Sequence, residues 1–455
     1  MELTRNTFFT RDKAFYAALF PMLITVALQN LITYSVNMVD NIMLGSYGQA
    51  SLSGAATVNQ LFFLVQEFAV SLSNTLVALA SQYWAEERPE PIRRLTGVAL
   101  KLGVIVSVIV VAVCLSFPTA LLRLFTNNAP IIAEGRAYLL IVAWSFLPFV
   151  LTQVLMAMLR AVKTVKISFW VSVVSLFVNI GINYVMIFGK LGFPEMGVRG
   201  AAIGTLIARF VELGIVVVYL LRFDEKIHVF RRELLEPCPE LRRDYRRVYL
   251  PIMCSTVLWG FSVPVQTAIL GHLTANAIAA NSVSTTFYQY LKVIVSAMSA
   301  VSAVMIGSAI GKGEMERIRS DARTLAVIDV SLGVVLGTAL LLLRGPLLSF
   351  YSLNPETMEM ANRLIMIMSV VMIGMSFEMP VCSGIFSGSG DGKFTMKLNL
   401  ISTWLIVMPL SFAAAFWWRL PVELVVVCVQ SDQIFKCLPT FLHFRKYQWM
   451  KKLTR

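Results

Sequence analysis

The chain repeats a segment at half its length. Leu44–Val58 (LGSYGQASLSGAATV) and Leu270–Ser284 (LGHLTANAIAANSVS) are diverged copies, and their starts lie 226 residues apart in a chain of 455. A match within one residue of this offset, between LFTNNAP and SFYSLNP, extends the repeat along the chain. Internal repeats in apolar chains are typical of transporters built from two related halves. The repeat predicts a tandem duplication.

The composition indicates a membrane protein. Hydrophobic residues make up 57% of the chain and charged residues 14%, with a mean hydropathy of +0.73, whereas soluble chains average roughly 45–50% apolar and 25% charged residues. Twelve apolar stretches each approach the ~20 residues that a helix needs to cross a bilayer. They lie at 14–38, 52–80, 95–117, 136–158, 167–188, 198–221, 248–270, 277–305, 322–343, 360–385, 395–417 and 421–443.

These stretches predict an all-α polytopic membrane protein with 12 transmembrane helices in two six-helix bundles. Because each copy has six spans, the two bundles enter the membrane in the same direction and are related by a pseudo-two-fold axis along the membrane normal. A ligand site is expected between the two bundles. The predicted domains are an amino-terminal lobe (1–222), a charged cytoplasmic linker (223–247) and a carboxy-terminal lobe (248–455).

The basic residues define a topology. The formal net charge is +13, and loops with their adjoining span ends carry 29 of the 39 Lys and Arg residues on one side and seven on the other. By the positive-inside rule both termini are cytoplasmic. The basicity therefore does not indicate nucleic-acid binding. The first apolar stretch lacks a signal cleavage site and is kept as a span, so we expect a multi-pass protein of the bacterial inner membrane.

The sequence contains no motif for ATP hydrolysis or catalysis. SGSGDGKFT (387–395) lacks the first glycine of a phosphate loop and has Phe394 where Ser or Thr would reach the metal. No zinc motif and no G-x-S-x-G motif are present, and the six cysteines form no C-x-x-C pair. We expect a protein that is not an enzyme, has no cofactor and draws energy from an ion gradient or from the gradient of its own substrate.

Three residues form the first candidate coupling site. An ionisable group inside a membrane is costly and is therefore a functional candidate. Asp40 lies in VNMVDNIMLG with no Lys or Arg nearby, while Asn179 and Asn183 are four residues apart on one helix face. Amide oxygens beside a carboxylate suit a hard cation such as sodium. The alternatives are a carboxylate in the headgroup region and an interhelical amide hydrogen bond.

Other membrane charges divide into two groups. Glu67, Lys292 and Glu378 have no evident partner in sequence and are candidate cavity charges, Glu378 close to Pro380 in its span. Four other charged residues are predicted to form two ion pairs, each within one helix. Arg209 and Glu212 are three residues apart, and Asp432 and Lys436 are four residues apart.

Five segments carry a family resemblance: VDNIMLGSYG, SQYWAEERPEPIRR, LRAVKT, NIGINYVMIFGKLGFPEMGVRGAAIGTLIAR and PIMCSTVLWG. In this order, in twelve spans, they resemble the multidrug and toxic compound extrusion (MATE) family. The resemblance implies two lobes around a central cavity, alternating access, and export of organic compounds in exchange for sodium or protons.

The resemblance also implies a cation site on Asp40, Asn179, Asn183 and Thr205. DinF-branch members carry aspartate where this chain has Asn183, which leaves open whether Na⁺ or H⁺ is the coupling ion. The NorM branch carries glutamate where this chain has Trp259. We therefore expect a DinF-like rather than NorM-like member, with a carboxy-lobe site only if Glu378 replaces that glutamate.

The expected function is a cation-coupled antiporter that exports cationic or amphipathic organic compounds by alternating access. Its expected partners are small organic substrates and the lipid bilayer, with no nucleic acid, and the protein is expected to be a monomer. The alternative is a flippase or exporter of a lipid-linked saccharide or another amphipathic metabolite. A membrane-embedded enzyme or sensor would need convergent catalytic groups, which the sequence does not display.

Overall fold

The computed structural model describes residues 9–236, 238–271, 275–313, 315–349 and 354–454. In these ranges the chain forms helices and no β-strand. The long helices are α1 (Lys13–Tyr47), α2 (Gln49–Ala85), α3 (Pro89–Ser116), α4 (Ala129–Ala161), α5 (Lys166–Phe188), α6 (Val198–Arg222), α7 (Pro239–Gly271), α8 (Ala275–Lys312), α9 (Met315–Leu348), α10 (Pro355–Phe386), α11 (Gly392–Trp417) and α12 (Val422–Lys446).

The predicted all-α polytopic fold is confirmed. Each of the twelve apolar stretches falls, within one residue, inside one long helix. Across the described residues, eleven helices are long and apolar enough to cross a membrane, and α7 contains the remaining predicted stretch, 248–270. Most helices extend beyond the apolar stretch because polar residues outside the hydrocarbon core continue the helical hydrogen-bonding pattern.

The repeat is visible in two helix starts. The Asn128 side chain accepts a hydrogen bond from the Ile131 backbone N–H (3.4 Å) at the start of α4. The Asn354 side chain accepts one from the Thr357 backbone N–H (2.8 Å) at the start of α10. Both are N-caps of the preferred residue type, and they lie 226 positions apart. Residues 272–274 and 350–353 of the second copy lie outside the described ranges.

The structure divides into two compact units. One is Leu28–Tyr245, and the other combines the chain up to Ala27 with the residues from Arg246 onward. This division differs from the predicted lobes (1–222 and 248–455) and linker (223–247) at both boundaries. The difference arises because the segment before α1 and the segment between the two halves each pack on a helix of the unit that contains them.

The segment before α1 packs on α9. The backbone N–H of Thr10 donates to Thr324 Oγ1 at 2.9 Å, and the Thr10 hydroxyl donates to Asp321 Oδ1 at 2.5 Å. Arg317 Nη2 lies 2.6 Å from Asp12 Oδ2. These polar contacts attach the start of the chain to the unit that contains α9, although the sequence repeat places it with the first copy.

The segment between the halves packs on α3. Arg93 donates to the Ile227 carbonyl at 2.7 Å and to Glu233 Oε1 at 3.1 Å. One helical turn further along α3, Gly97 leaves room for the Leu234 carbonyl, which would clash with any side chain at that position. The predicted linker is therefore largely part of the Leu28–Tyr245 unit.

Helix α10 changes its geometry at a proline. Pro380 has no N–H to donate to the Ser376 carbonyl, and the helix continues as a π-helix over Pro380–Phe386. Helix α11 contains two further π-helical runs, Leu400–Val407 and Ala413–Trp417. Such turns are frequent at functional sites.

Candidate cation-coupling site

Helices α1, α5 and α6 bring the four residues of the predicted site together. Asn183 Nδ2 on α5 donates to Asp40 Oδ1 on α1 at 2.6 Å. The same nitrogen donates to Asn179 Oδ1 at 3.2 Å, which places both amides on one face of α5. Thr205 on α6 lines the same cavity as Asp40 and Asn179. Their role in cation binding remains a prediction.

Small residues on α6 allow this helix to pack closely against α5. A Cβ at Gly200 would lie 2.7 Å from the Met186 carbonyl oxygen on α5, and a Cβ at Gly204 would clash with Asn183 Oδ1. A small-x-x-x-small spacing of this kind lets two membrane helices pack with their backbones close together. The glycines therefore fix the position of the Asn183 amide opposite Asp40.

The cavity beside Asp40 is small. It has a volume of about 30 Å³, with walls from α1, α2, α4, α5 and α6. A single water needs ~10–15 Å³ of such volume, so about two waters or one ion would fill it. Further polar lining comes from Asn37 and Asn41 on α1 and Asn59 on α2. The cavity therefore has room for water or a single small ion.

A buried ion pair lies at one side of this cavity. Arg209 Nη1 lies 2.9 Å from Glu212 Oε2, which confirms the predicted pair. The guanidinium also lies over the Phe149 ring, 5.0 Å from its centroid. Both members of the pair line the cavity that Asp40 also lines. With Asp40 ionised, these three side chains carry one unbalanced negative charge.

The Asn183 amide differs from the expectation of two amide oxygens facing a cation. Its N–H group faces Asp40, and its oxygen faces Gly204 without a hydrogen-bond partner among the described residues. The Asn179 oxygen accepts from Asn183. Thr205 Oγ1 lies beside Tyr138 and has no partner in good hydrogen-bond geometry within the described chain. The Asp40 carboxylate therefore accepts a hydrogen bond from the Asn183 amide, and the Arg209–Glu212 pair lines the same cavity.

We expect Gly204→Ala to reduce coupled transport about tenfold. The added Cβ would displace the Asn183 amide and break its hydrogen bond to Asp40, and forced repacking at such a contact also destabilises by ~1–3 kcal/mol. Gly214→Ala on the same helix is the matched control, since a Cβ at Gly214 would meet no atom within 4 Å. Vesicle efflux rates and thermal unfolding midpoints measure both effects; equal behaviour of the two variants would contradict the role assigned to Gly204.

The candidate cavity charges do not line the Asp40 cavity. Glu67 lies on α2, in the Leu28–Tyr245 unit, and is partly buried. Lys292 lies on α8, with its Nζ 4.5 Å from the centroid of the Trp259 ring. Glu378 is buried on α10 and interacts electrostatically with Lys436. Lys292 and Glu378 belong to the other unit, and a role for any of the three remains a prediction.

The second predicted ion pair is also confirmed. Lys436 Nζ lies 2.6 Å from Asp432 Oδ2, and both side chains are almost fully buried. Ser402 Oγ and Thr403 Oγ1 on α11 donate to Asp432 Oδ1 at 3.1 and 2.9 Å. The pair and its two hydroxyl donors form a polar network that joins α11 to α12.

One buried carboxyl was missed by the sequence analysis. Asp329 on α9 is fully buried, although the surrounding TLAVIDVSLG is apolar. The signal was the same one that identified Asp40, a single carboxylate within a membrane span.

Both halves of the chain match one known family. The MatE family model matches residues 25–185 and again 251–413. The chain belongs to the MATE family. The two matches begin 226 residues apart, which is the offset of the repeat. As a MATE protein it is a multi-pass membrane transporter and, as predicted, not an enzyme.

Known MATE relatives cover nearly the whole chain. A probable multidrug resistance protein NorM of Thermotoga maritima is 26% identical over 431 residues, 94% of this chain and 92% of the relative. A probable multidrug resistance protein YoeA of Bacillus subtilis is 22% identical over 469 residues, 99% and 98% of the two chains. The crystal structure of the Vibrio cholerae MATE transporter VcmN shares the fold, with a TM-score of 0.87 and 18% identity over 97% of this chain and 98% of that chain. The expected DinF-like branch finds no support in these names.

Proposed function

We propose that this MATE protein is a proton-coupled antiporter that exports cationic or amphipathic organic compounds across the bacterial plasma membrane by alternating access. The observation that carries the proposal is Asp40, a carboxyl in a water-sized cavity with one unbalanced negative charge. The names of the relatives, probable multidrug resistance proteins, support organic compounds as the substrate class. The distribution of Lys and Arg supports cytoplasmic termini.

The contacts of Asp40 favour a proton over sodium. Sodium would need several oxygen ligands around one carboxylate, but Asp40 Oδ1 already accepts an N–H from Asn183. Glu212 balances the charge of Arg209 at the same cavity, so either ion would neutralise Asp40 and the ligand shell is what distinguishes them. A proton needs no ligand shell, since it attaches to the free carboxylate oxygen.

Protonation changes how α1, α5 and α6 are held together. Ionised Asp40 accepts a charge-assisted hydrogen bond from Asn183, and such bonds are roughly twice as strong as neutral ones. A proton from the outside weakens this bond and neutralises the cavity. The helices then repack, and the organic compound leaves on the outside. One proton moved inward through 100 mV supplies about 2.3 kcal/mol, which gives a concentration ratio of about 50 for an uncharged compound. A monovalent organic cation carries an equal charge outward, so the proton concentration difference alone drives its export.

Sealed vesicles test the proposal with ethidium as the probe. The purified protein is reconstituted, and efflux is recorded under an imposed proton gradient and, separately, under an imposed sodium gradient. We expect the proton gradient to drive efflux in sodium-free buffer and the sodium gradient to have no effect. Efflux driven by sodium alone would contradict proton coupling. Absence of ethidium efflux under either gradient would contradict the export of organic cations.

A further inference from the structure

Asp329 is a membrane carboxyl with no partner in the described structure. Its side chain is fully buried, and neither carboxyl oxygen has a hydrogen-bond partner among the described residues. An isolated carboxylate in such surroundings is strongly disfavoured, and the group is held neutral instead. These surroundings therefore favour the neutral carboxylic acid.

The position of Asp329 places it on the face of α9 that packs against α10. Gly333 and Gly337 follow it at intervals of four residues and so share this face. A Cβ at Gly333 would lie 2.7 Å from Ser376 Cβ, and one at Gly337 would lie 2.5 Å from the Ser369 carbonyl oxygen. Since α9 and α10 run antiparallel, the next turn places Asp329 near the point where Pro380 begins the π-helix.

The other half of the protein shows that the fold does not need this carboxyl. With the offset of 226, Asp329 corresponds to Gly103 on α3, and Ser376 corresponds to Val150 on α4. A Cβ at Gly103 would lie 2.9 Å from Val150 Cγ1, so the equivalent contact is tight and apolar. In the second copy, Ser376 Oγ is also buried without a hydrogen-bond partner in the described chain. The second copy thus has two polar groups at positions where the first copy has a tight apolar contact.

We propose that Asp329 is a second proton-binding site, in the carboxy-terminal unit, which is protonated while α9 and α10 are closed and releases its proton to water when they separate. The release is a simple acid dissociation: the carboxyl O–H bond breaks, water takes the proton, and the carboxylate keeps the electron pair. This proposal rests on the proposed proton coupling and adds a second proton to it.

No charged neighbour controls this site in the described structure. Glu378 on α10 interacts with Lys436, Asp432 and Lys292 rather than with Asp329. The charged groups at the start of α9 hold the segment before α1, as Arg317 does for Asp12. The Asp329 carboxyl itself is completely buried and has no hydrogen-bond partner among the described residues. The opening of the α9–α10 contact, which admits water, is therefore what sets its protonation.

Infrared spectroscopy tests the protonation independently of transport. Protein labelled with an isotope at the aspartate side-chain carbonyl should show the band of a protonated carboxyl in mildly alkaline buffer. We expect this band to disappear in Asp329→Asn and to persist in Asp40→Asn, which is the matched control. If Asp329→Asn does not fold, Asp329→Ser takes its place. A spectrum of Asp329→Asn identical to that of the wild type would overturn the proposal.

The proton count tests the role in coupling. In vesicles, the number of protons imported per ethidium ion exported is measured for wild type and Asp329→Asn. We expect one proton fewer for the variant, with ethidium binding retained. An unchanged count would overturn the role of Asp329 while leaving proton coupling intact. A wild type that imports no protons would instead contradict the proposed function, and the infrared band would still report on Asp329.

Discussion

Replacing Asp40 with asparagine is expected to reduce proton-driven ethidium efflux to the rate of protein-free vesicles. The substitution keeps the shape of the side chain but removes the group that binds and releases a proton. It also removes the charge that accepts the Asn183 hydrogen bond of 2.6 Å. The measurement is the initial efflux rate from vesicles with matched protein content, under an imposed proton gradient.

A control variant separates this effect from general damage. Glu359→Gln makes the same change from carboxylate to amide at an exposed site, where Glu359 pairs with Arg363, and it is expected to transport at the wild-type rate. Equilibrium ethidium binding and the thermal unfolding midpoint should be retained in Asp40→Asn. Coupled efflux at the wild-type rate in Asp40→Asn would contradict the role assigned to Asp40.

Replacing Lys436 with methionine is expected to have the largest effect on stability. The change leaves Asp432 buried with only the hydroxyls of Ser402 and Thr403 as donors. Breaking a buried ion pair by removing one partner costs ~3–5 kcal/mol. For a unit of this size, that corresponds to a fall of about 10 °C in the thermal unfolding midpoint. The measurement is thermal unfolding in detergent, followed by circular dichroism.

Two further variants show whether the unpaired charge is the cause. Asp432→Asn/Lys436→Met also removes the carboxylate that pairs with Lys436, and most of the lost stability should return. Arg363→Met breaks an exposed pair with Glu359, and such pairs contribute only ~0–1 kcal/mol. If the double variant were as unstable as Lys436→Met, lost packing rather than an unpaired Asp432 would be the cause.

The helices could be predicted from the sequence because a membrane imposes a length on every span. Each predicted stretch coincides with a helix, and the four-residue spacing of Asn179 and Asn183 was enough to place them on one face. The ion pairs of Arg209 and Asp432 followed from the same helical spacing.

The sequence could not predict features that depend on contacts between distant segments. The orientation of the Asn183 amide depends on Gly204, a residue of another helix. The attachment of Thr10 to α9 joins residues more than 300 positions apart, with Thr324 as one partner. Asp329 was visible in the sequence, but its lack of partners becomes apparent only when the packing of α9 is known.

The most direct test of proton exchange at Asp40 is whether ethidium moving out brings protons in. Vesicles are loaded with ethidium at equal pH and equal sodium concentration on both sides, then diluted, and the internal pH is recorded. We predict internal acidification that persists when choline replaces sodium and that is absent in Asp40→Asn. Ethidium efflux without acidification, or acidification that requires sodium or survives in Asp40→Asn, would contradict proton exchange at Asp40.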